Sequence, residues 1–333
     1  MSILLRLRLM IHSNLQAVLY VLSGVCQPLL VTLLKAAQLA DPNAQLYMFF
    51  YYLGPAFLAI GCEPPPRDRA LQAIGIALFD CVATSLNYTG ASLAGPTLFG
   101  VVYASVTVWT AVFARCWWKH RTLSYAQWAA IGFVFGGLLL TTLDSVQLGP
   151  HVVQGTLLIL LGSCWHAWTY VWSEAVMEGP HGLTIRQNTA VQAVVAVLVL
   201  GFWQVVYTIP HWQPLSSGVS WWSALCLLML FAMVNLLHSV SFYHVLKHFP
   251  GGATSAGVLK GLQAVLVFVA AHVCYCGRTY YGGSELCFSF SKLCSLLTVV
   301  GGVTWFGIAS DARRKQYRSI DSSSDDELEA PLS

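Results

Sequence analysis

The sequence predicts an all-α polytopic membrane protein, and three observations predict it. Of 333 residues, 56% are hydrophobic and only 9% are charged; soluble domains carry about 25% charged residues, so this chain could not cover a water-facing surface. Mean hydropathy is +0.64. The apolar residues also fall in long blocks, and about 20 such residues cross a ~30 Å hydrocarbon core at helical rise. No water is present there to satisfy a backbone, so each block must be a helix.

Ten spans follow in order, at 14–38, 43–61, 70–88, 94–116, 124–143, 152–174, 187–208, 220–246, 253–275 and 288–310. Residues 1–13 carry Arg6 and Arg8 and are too short for a domain; the full-length apolar block behind them lacks a small-residue cleavage site, so it reads as a span and not a signal peptide. Turn-forming residues punctuate the chain at Asp41-Pro42-Asn43, Glu63-Pro64-Pro65-Pro66, Gly149-Pro150, Pro210 to Pro214 and Pro250-Gly251-Gly252. After Ala309 the character changes. Arg313 to Arg318 is a juxtamembrane basic cluster, of the kind that anchors orientation and attracts anionic lipid. Ser319 to Ser333 is acidic, serine-rich and nearly devoid of apolar residues, so residues 311–333 are expected to form a disordered cytosolic tail.

Charge supports this count. With both termini cytosolic, thirteen cations fall on the cytosolic side: Arg6, Arg8, Arg67, Arg69, Arg115, Lys119, Arg121, Arg186, Lys247, Arg313, Arg314, Lys315 and Arg318. Only Lys35, Arg278 and Lys292 fall opposite, and Lys260 lies inside a span. That asymmetry is the positive-inside pattern, and adding or removing one span would blur it.

Ten spans divide into two sets of five near Gly149-Pro150, giving repeats at 14–148 and 149–310. An odd number per half inverts the second half relative to the first. The fourth span opens with Gly95-Pro96 and its counterpart, the ninth, follows Pro250-Gly251-Gly252. Small residues then recur in both: Gly100, Ala104 and Ser105 in one, Gly257 and Gly261 in the other. Such Gly/Pro-interrupted segments at matching places point to a binding site between repeats; small residues also simply let helices pack closely.

Two charges fall inside the bilayer. Asp80 is near the centre of the third span and Lys260 near that of the ninth. Each costs roughly 2.5–3.5 kcal/mol on insertion scales and needs a partner or a watery cavity. Lys260 lies some 12 Å at helical rise from the cytosolic boundary, too far for its stem to reach comfortably, so it is expected to face a cavity, with a structural ion pair as the alternative. Asp80 fits equally a coupling site, an ion pair with a lysine, or a cap on a neighbouring helix. Candidate binding residues are Lys260, Tyr103, Asn235, His238, Gln263 and Lys35; Gln16, Gln27, His166 and Gln192 could line the same space. Asn235 and His238 share a helix face, as do Lys260 and Gln263. Singly, each of these polar groups serves as readily for an interhelical hydrogen bond, and a histidine can carry a coupling proton.

The ten cysteines are scattered through apolar blocks without metal-ligand spacing and read mostly as small buried hydrophobes. Cys276 and Cys287 flank a loop on the non-cytosolic side, where an oxidising compartment permits a bridge. No Walker sequence, HExxH or GxSxG is present, and no paired carboxylates suggest intramembrane catalysis. An enzyme is therefore not expected. Tryptophans such as Trp117, Trp118, Trp221 and Trp222 fit interfacial belts.

Phe79-Asp80-Cys81-Val82-Ala83-Thr84-Ser85-Leu86-Asn87-Tyr88 resembles the third-helix signature of the drug/metabolite transporter superfamily. The similarity is greatest to solute carrier family 35, which includes nucleotide-sugar transporters, and to the chloroquine-resistance-type transporters. Trp117-Trp118-Lys119-His120-Arg121, Gln127-Trp128 and Gly132 to Leu140 are similar to that family's fourth helix, basic loop and fifth helix. The resemblance spans all ten segments in layout and is residue-level mainly over 78–140. It implies an inverted five-plus-five repeat, alternating access, substrate between helices 1–4 and 6–9, and an endomembrane such as Golgi, endosome or lysosome.

The functional expectation is a secondary active transporter, an antiporter in many relatives, for a small polar or anionic metabolite, nucleotide-sugar-like or another organic anion. The alternative is a non-transporting membrane scaffold acting through the tail. Expected partners are the small-molecule substrate and the lipid bilayer, with a homodimer and a sorting adaptor at the tail as options. Most cations are accounted for by topology, so no nucleic acid is expected; nor is any cofactor or metal.

Overall fold

The computed structural model describes residues 3–117, 124–211, 220–249, 252–281, 287 and 289–328. Among these the chain is helical throughout its regular structure, with no strand. The helices are α1 (Ile3–Ala36), α2 (Leu46–Ala56), α3 (Arg67–Tyr103), α4 (Val106–Trp117), α5 (Tyr125–Leu148), α6 (Pro150–Met177), α7 (Ile185–Trp203), α8 (Trp221–His248), α9 (Ala253–Tyr275) and α10 (Phe290–Leu328). A 3₁₀ turn, Phe57–Ala59, extends α2, and a π turn, Gln204–Thr208, extends α7.

Six of the described helical segments are long and apolar enough to cross a membrane: Asn14–Ala36, Arg67–Tyr103, Ile185–Thr208, Trp221–His248, Ser255–Tyr275 and Phe290–Ala309. Leu46–Ala59, Val106–Cys116 and Tyr125–Leu140 are shorter apolar helices. Large apolar side chains face outward along these segments, among them Leu139, Leu198, Phe202, Val205, Leu297 and Ile308. A soluble monomer rarely leaves so broad an apolar surface uncovered; the arrangement fits a multi-pass membrane protein.

Local chemistry explains several helix starts. Ser124 with Gln127, and Thr184 with Gln187, form capping boxes that open α5 and α7. Gly149 precedes Pro150 at the first position of α6, where the missing N–H costs nothing. The sequence predicts separate spans at 70–88 and 94–116, but the helix instead continues to a kink at Gly95 (φ 84°) and breaks again between Tyr103 and Val106. Pro96 causes the shift, because its ring drives the residue before it out of the helical region. Residues 89–94 contain no comparable breaker. The last helix also runs past the expected boundary: the tail foreseen as disordered from 311 is helical to Leu328. Once a helix is nucleated, each further residue adds one hydrogen bond at little cost. Of the loops and tail read from sequence, residues 118–121, Pro214, Pro250-Gly251 and 329–333 lie outside the described residues.

Cys276 and Cys287 are joined in a disulfide, with Cα atoms 4.5 Å apart. The helices pack in a regular scheme: α3 on α6, α1 on α8 and α9, α6 on α4, α2 on α7 and α8, α7 on α3, and α5 on α10. Glycine sets the closest of these approaches. A Cβ on Gly90 would lie 2.6 Å from the Gly155 carbonyl oxygen and from Ile159 Cγ1, so α3 and α6 meet backbone to backbone. Gly90→Val must part the two helices. We expect a lower thermal midpoint in detergent, corresponding to about 1–3 kcal/mol; an unchanged midpoint would mean that the α3–α6 contact does not limit stability.

Candidate functional site

The α3–α6 contact carries the first half of the site. Asp80 on α3 and His166 on α6 face each other, Oδ1 to Nε2 at 2.9 Å, with side chains 14% and 10% exposed. Tyr52 of α2 donates its hydroxyl to Asp80 Oδ2 at 2.8 Å, and Thr169 lies 3.3 Å from Oδ1. The other ring nitrogen, His166 Nδ1, stands 2.8 Å from the Tyr103 hydroxyl, which is 2.9 Å from that of Tyr170. One assignment satisfies all of these contacts with a neutral ring. His166 Nε2–H donates to Asp80, Tyr103 donates to Nδ1, and Tyr170 donates to Tyr103. Every donor in the chain then points towards the carboxylate, which has no need of a lysine.

The second half lies on α9 and α8. Lys260 is 5% exposed, and its Nζ stands 3.4 Å from His238 Nε2. His238 Nδ1 is 3.0 Å from Ser23 Oγ on α1. The ammonium also lies over two ring faces, 5.0 Å from the centroid of Tyr20 and 5.1 Å from that of Tyr103. Ring quadrupoles attract a cation this way, but they carry no counter-charge. Among the described residues Lys260 makes no ion pair, and a single hydrogen-bond partner leaves two of its three N–H groups uncommitted.

Between the two halves lies a cavity walled by α1, α2, α3, α6, α7, α8 and α9. Of the residues expected at the site, Lys260, Tyr103, His238, Gln263 and Asp80 all line it. Two do not. Asn235 is fully buried and accepts a 2.6 Å hydrogen bond from Gln27; Gln27 takes the cavity wall and Asn235 braces it from behind. Lys35 is exposed in the last turn of α1, where a cation is favoured by the helix dipole. His166 and Gln192 join the lining, and Gln16 does not.

The sequence reading passes over the aromatic wall. Tyr51, Tyr88, Phe99, Tyr170, Phe242 and Tyr243 all line the cavity. Phe99 and Tyr103 are stacked at 5.1 Å with planes 12° apart, and Tyr88 continues the row 5.7 Å from Phe99. A signal was available for Tyr51, in the middle of the second predicted span; Tyr88, Tyr170 and Tyr243 fall within four residues of predicted span ends, where the residue ordinarily concentrates. The amide side chains are largely turned to the protein itself. Gln263 donates to the Tyr20 carbonyl at 2.8 Å, while Gln192 is held by Ser173, Asn188 and Tyr243.

No family model matches the chain, and no curated protein matches it either. A solved chain described as "Crystal structure of protein" is similar over 87% of this chain and 97% of its own length, at 17% identity and a TM-score of 0.47.

Proposed function

We propose that the protein is a secondary active transporter of a small organic anion, built on ten spans as a five-plus-five inverted repeat and related to solute carrier family 35. The observation that carries this reading is Lys260, a buried ammonium without an ion-pair partner among the described residues, facing a cavity walled by both halves of the chain. An intramembrane charge without a structural partner is a functional group by default.

Helix packing supports the repeat. Exchange α1–α5 for α6–α10, and the pair α1–α8 becomes α6–α3, α1–α9 becomes α6–α4, and α2–α8 becomes α7–α3; both members of these three pairs occur, whereas α3–α9 and α9–α10 lack a packed counterpart among the described residues. Gly95 and Gly252, at matching places in the two halves, both have positive φ, 84° and 50°. The Cys276–Cys287 disulfide supports an oxidising compartment on that side, hence cytosolic termini and an endomembrane or surface location.

The test is reconstitution of purified protein into liposomes, with counterflow measured across a metabolite panel. Saturable exchange is expected, and its absence for every compound would end the transport reading. Removing Ser319 to Ser333 is expected to leave that flux intact, because a carrier works through its cavity, whose described lining comes from α1, α2, α3 and α6 to α9. Flux lost on removal would favour a protein that works through its tail.

A further inference from the structure

We infer that the cavity takes a planar aromatic ring bearing one negative charge; the inference rests on the carrier reading and names its substrate class. Three features of the wall narrow the choice. The first is charge. Asp80 is already answered by donors from His166, Tyr52 and Thr169, so it requires no cation from the ligand. Among the described residues Lys260 is answered only by ring faces and one imidazole nitrogen. A ligand with one anionic group supplies the missing counter-charge. A dianion would leave one charge unmatched in a low-dielectric site, where an unpaired charge is strongly disfavoured.

The second feature is the ring circuit. Around the ammonium, centroid separations run 5.8 Å from Tyr103 to His166, 4.7 Å to Tyr170, 4.4 Å to Phe242 and 5.7 Å to Tyr20. Lys260 closes the loop between Tyr20 and Tyr103. Cages of this kind can recognise an external cation, but here the chain's own lysine occupies the cation's place. An external cation would meet a like charge. Tyr88, Phe99 and Tyr51 also line the cavity, and contact with their rings favours an aromatic ring over a saturated ring of equal size.

The third feature is the commitment of the polar lining. Gln27, Gln192 and Gln263 each donate to protein acceptors. Among the buried polar atoms of the described lining, Asn87 Oδ1 alone lacks a partner; a sugar ring needs several free, fixed partners for its hydroxyl groups and would leave most of them unpaired here at a cost. A flat ring needs none.

The test is ligand-induced thermal stabilisation of the full-length protein in detergent, titrated with four probes: 2-naphthoate, decahydro-2-naphthoate, 2-naphthyl phosphate and (2-naphthylmethyl)trimethylammonium. A ligand that binds the folded form alone raises the midpoint according to its affinity. We expect 2-naphthoate to bind about ten-fold more tightly than decahydro-2-naphthoate, and more tightly still than the dianion and the cation. In Phe99→Leu the ratio between the two carboxylates should shrink to about two- or three-fold. That ratio does not depend on how much of the variant folds. Equal affinity for both carboxylates in the wild type would overturn the ring requirement. A preference for the phosphate or the ammonium would overturn the charge assignment. Either result alongside saturable, Lys260-dependent flux of another compound leaves the carrier standing and replaces only its substrate class. Binding of 2-naphthoate without flux of any compound would instead remove the carrier reading and keep the site.

Discussion

Replacing Lys260 with Met is expected to reduce transport at least thirty-fold without lowering the thermal midpoint. Methionine keeps an unbranched stem of similar volume, so packing against Tyr20 and Tyr103 survives and only the charge is lost. For folding, that loss is neutral or favourable, because an ammonium without an ion-pair partner is costly in the membrane interior. For an anionic ligand the loss is severe. Removing one partner of a buried, hydrogen-bonded charge pair costs about 2–5 kcal/mol, and 2 kcal/mol already corresponds to about thirty-fold. Lys260→Arg separates charge from shape: the positive charge remains, but a planar fork replaces a compact point charge. Partial flux in the arginine variant with none in the methionine variant is the expected pattern. Counterflow in liposomes measures it, with midpoints recorded on the same preparations. Kinetics unchanged in Lys260→Met would take the residue out of the site.

The ninth helix is the best case of what the sequence could reveal. Its predicted bounds, 253–275, coincide with those of α9, Ala253–Tyr275, because Pro250 and the glycines after it leave the chain one place to begin again. Lys260 was legible for a related reason: one ammonium in an otherwise apolar segment has few destinations. The third and fourth spans were less legible, since hydropathy falls between 88 and 94 without a strong helix breaker there. The break at Gly95 comes from Pro96, and only backbone sterics predict it.

The limits at the site have a different origin. Asp80 could have paired with any cation or donor in the chain, and sequence separation does not rank them; His166 lies 86 residues away and meets it only because Gly90 and Gly155 let α3 and α6 touch. Asn235 and Gln27 illustrate the same point. Both are amides within spans, both looked equally available, and their mutual hydrogen bond decides that one lines the cavity while the other supports it. Tyrosine is counted among the 56% hydrophobic residues and sits here inside long apolar blocks, so the cavity wall could not be told apart from the helices that carry it.

Asp80→Ala should be the most destabilising single change at the site, because one substitution removes the acceptor of two buried donors. The loss would strand the donors of His166 Nε2 and Tyr52 together, while Thr169 keeps the His166 carbonyl at 2.8 Å; each orphaned buried donor carries a penalty of about 1–3 kcal/mol. Asp80→Asn should cost less, because the amide oxygen still accepts from His166 or Tyr52. A cycle of Asp80→Asn, His166→Gln and the double variant isolates the contact. Groups in one hydrogen-bonded network couple by about 0.5–3 kcal/mol, whereas independent sites add within about 0.3–0.5 kcal/mol. Coupling is therefore expected in the thermal midpoints, and additivity would show that the 2.9 Å contact between Asp80 and His166 contributes nothing to stability. The same cycle carries a functional consequence. Tyr103 donates to His166 and presents its ring to Lys260, so loosening His166 should weaken ligand affinity even though the histidine makes no contact with the ammonium. An affinity unmoved in His166→Gln would mean that Tyr103 is held by Tyr170 and Phe99 alone.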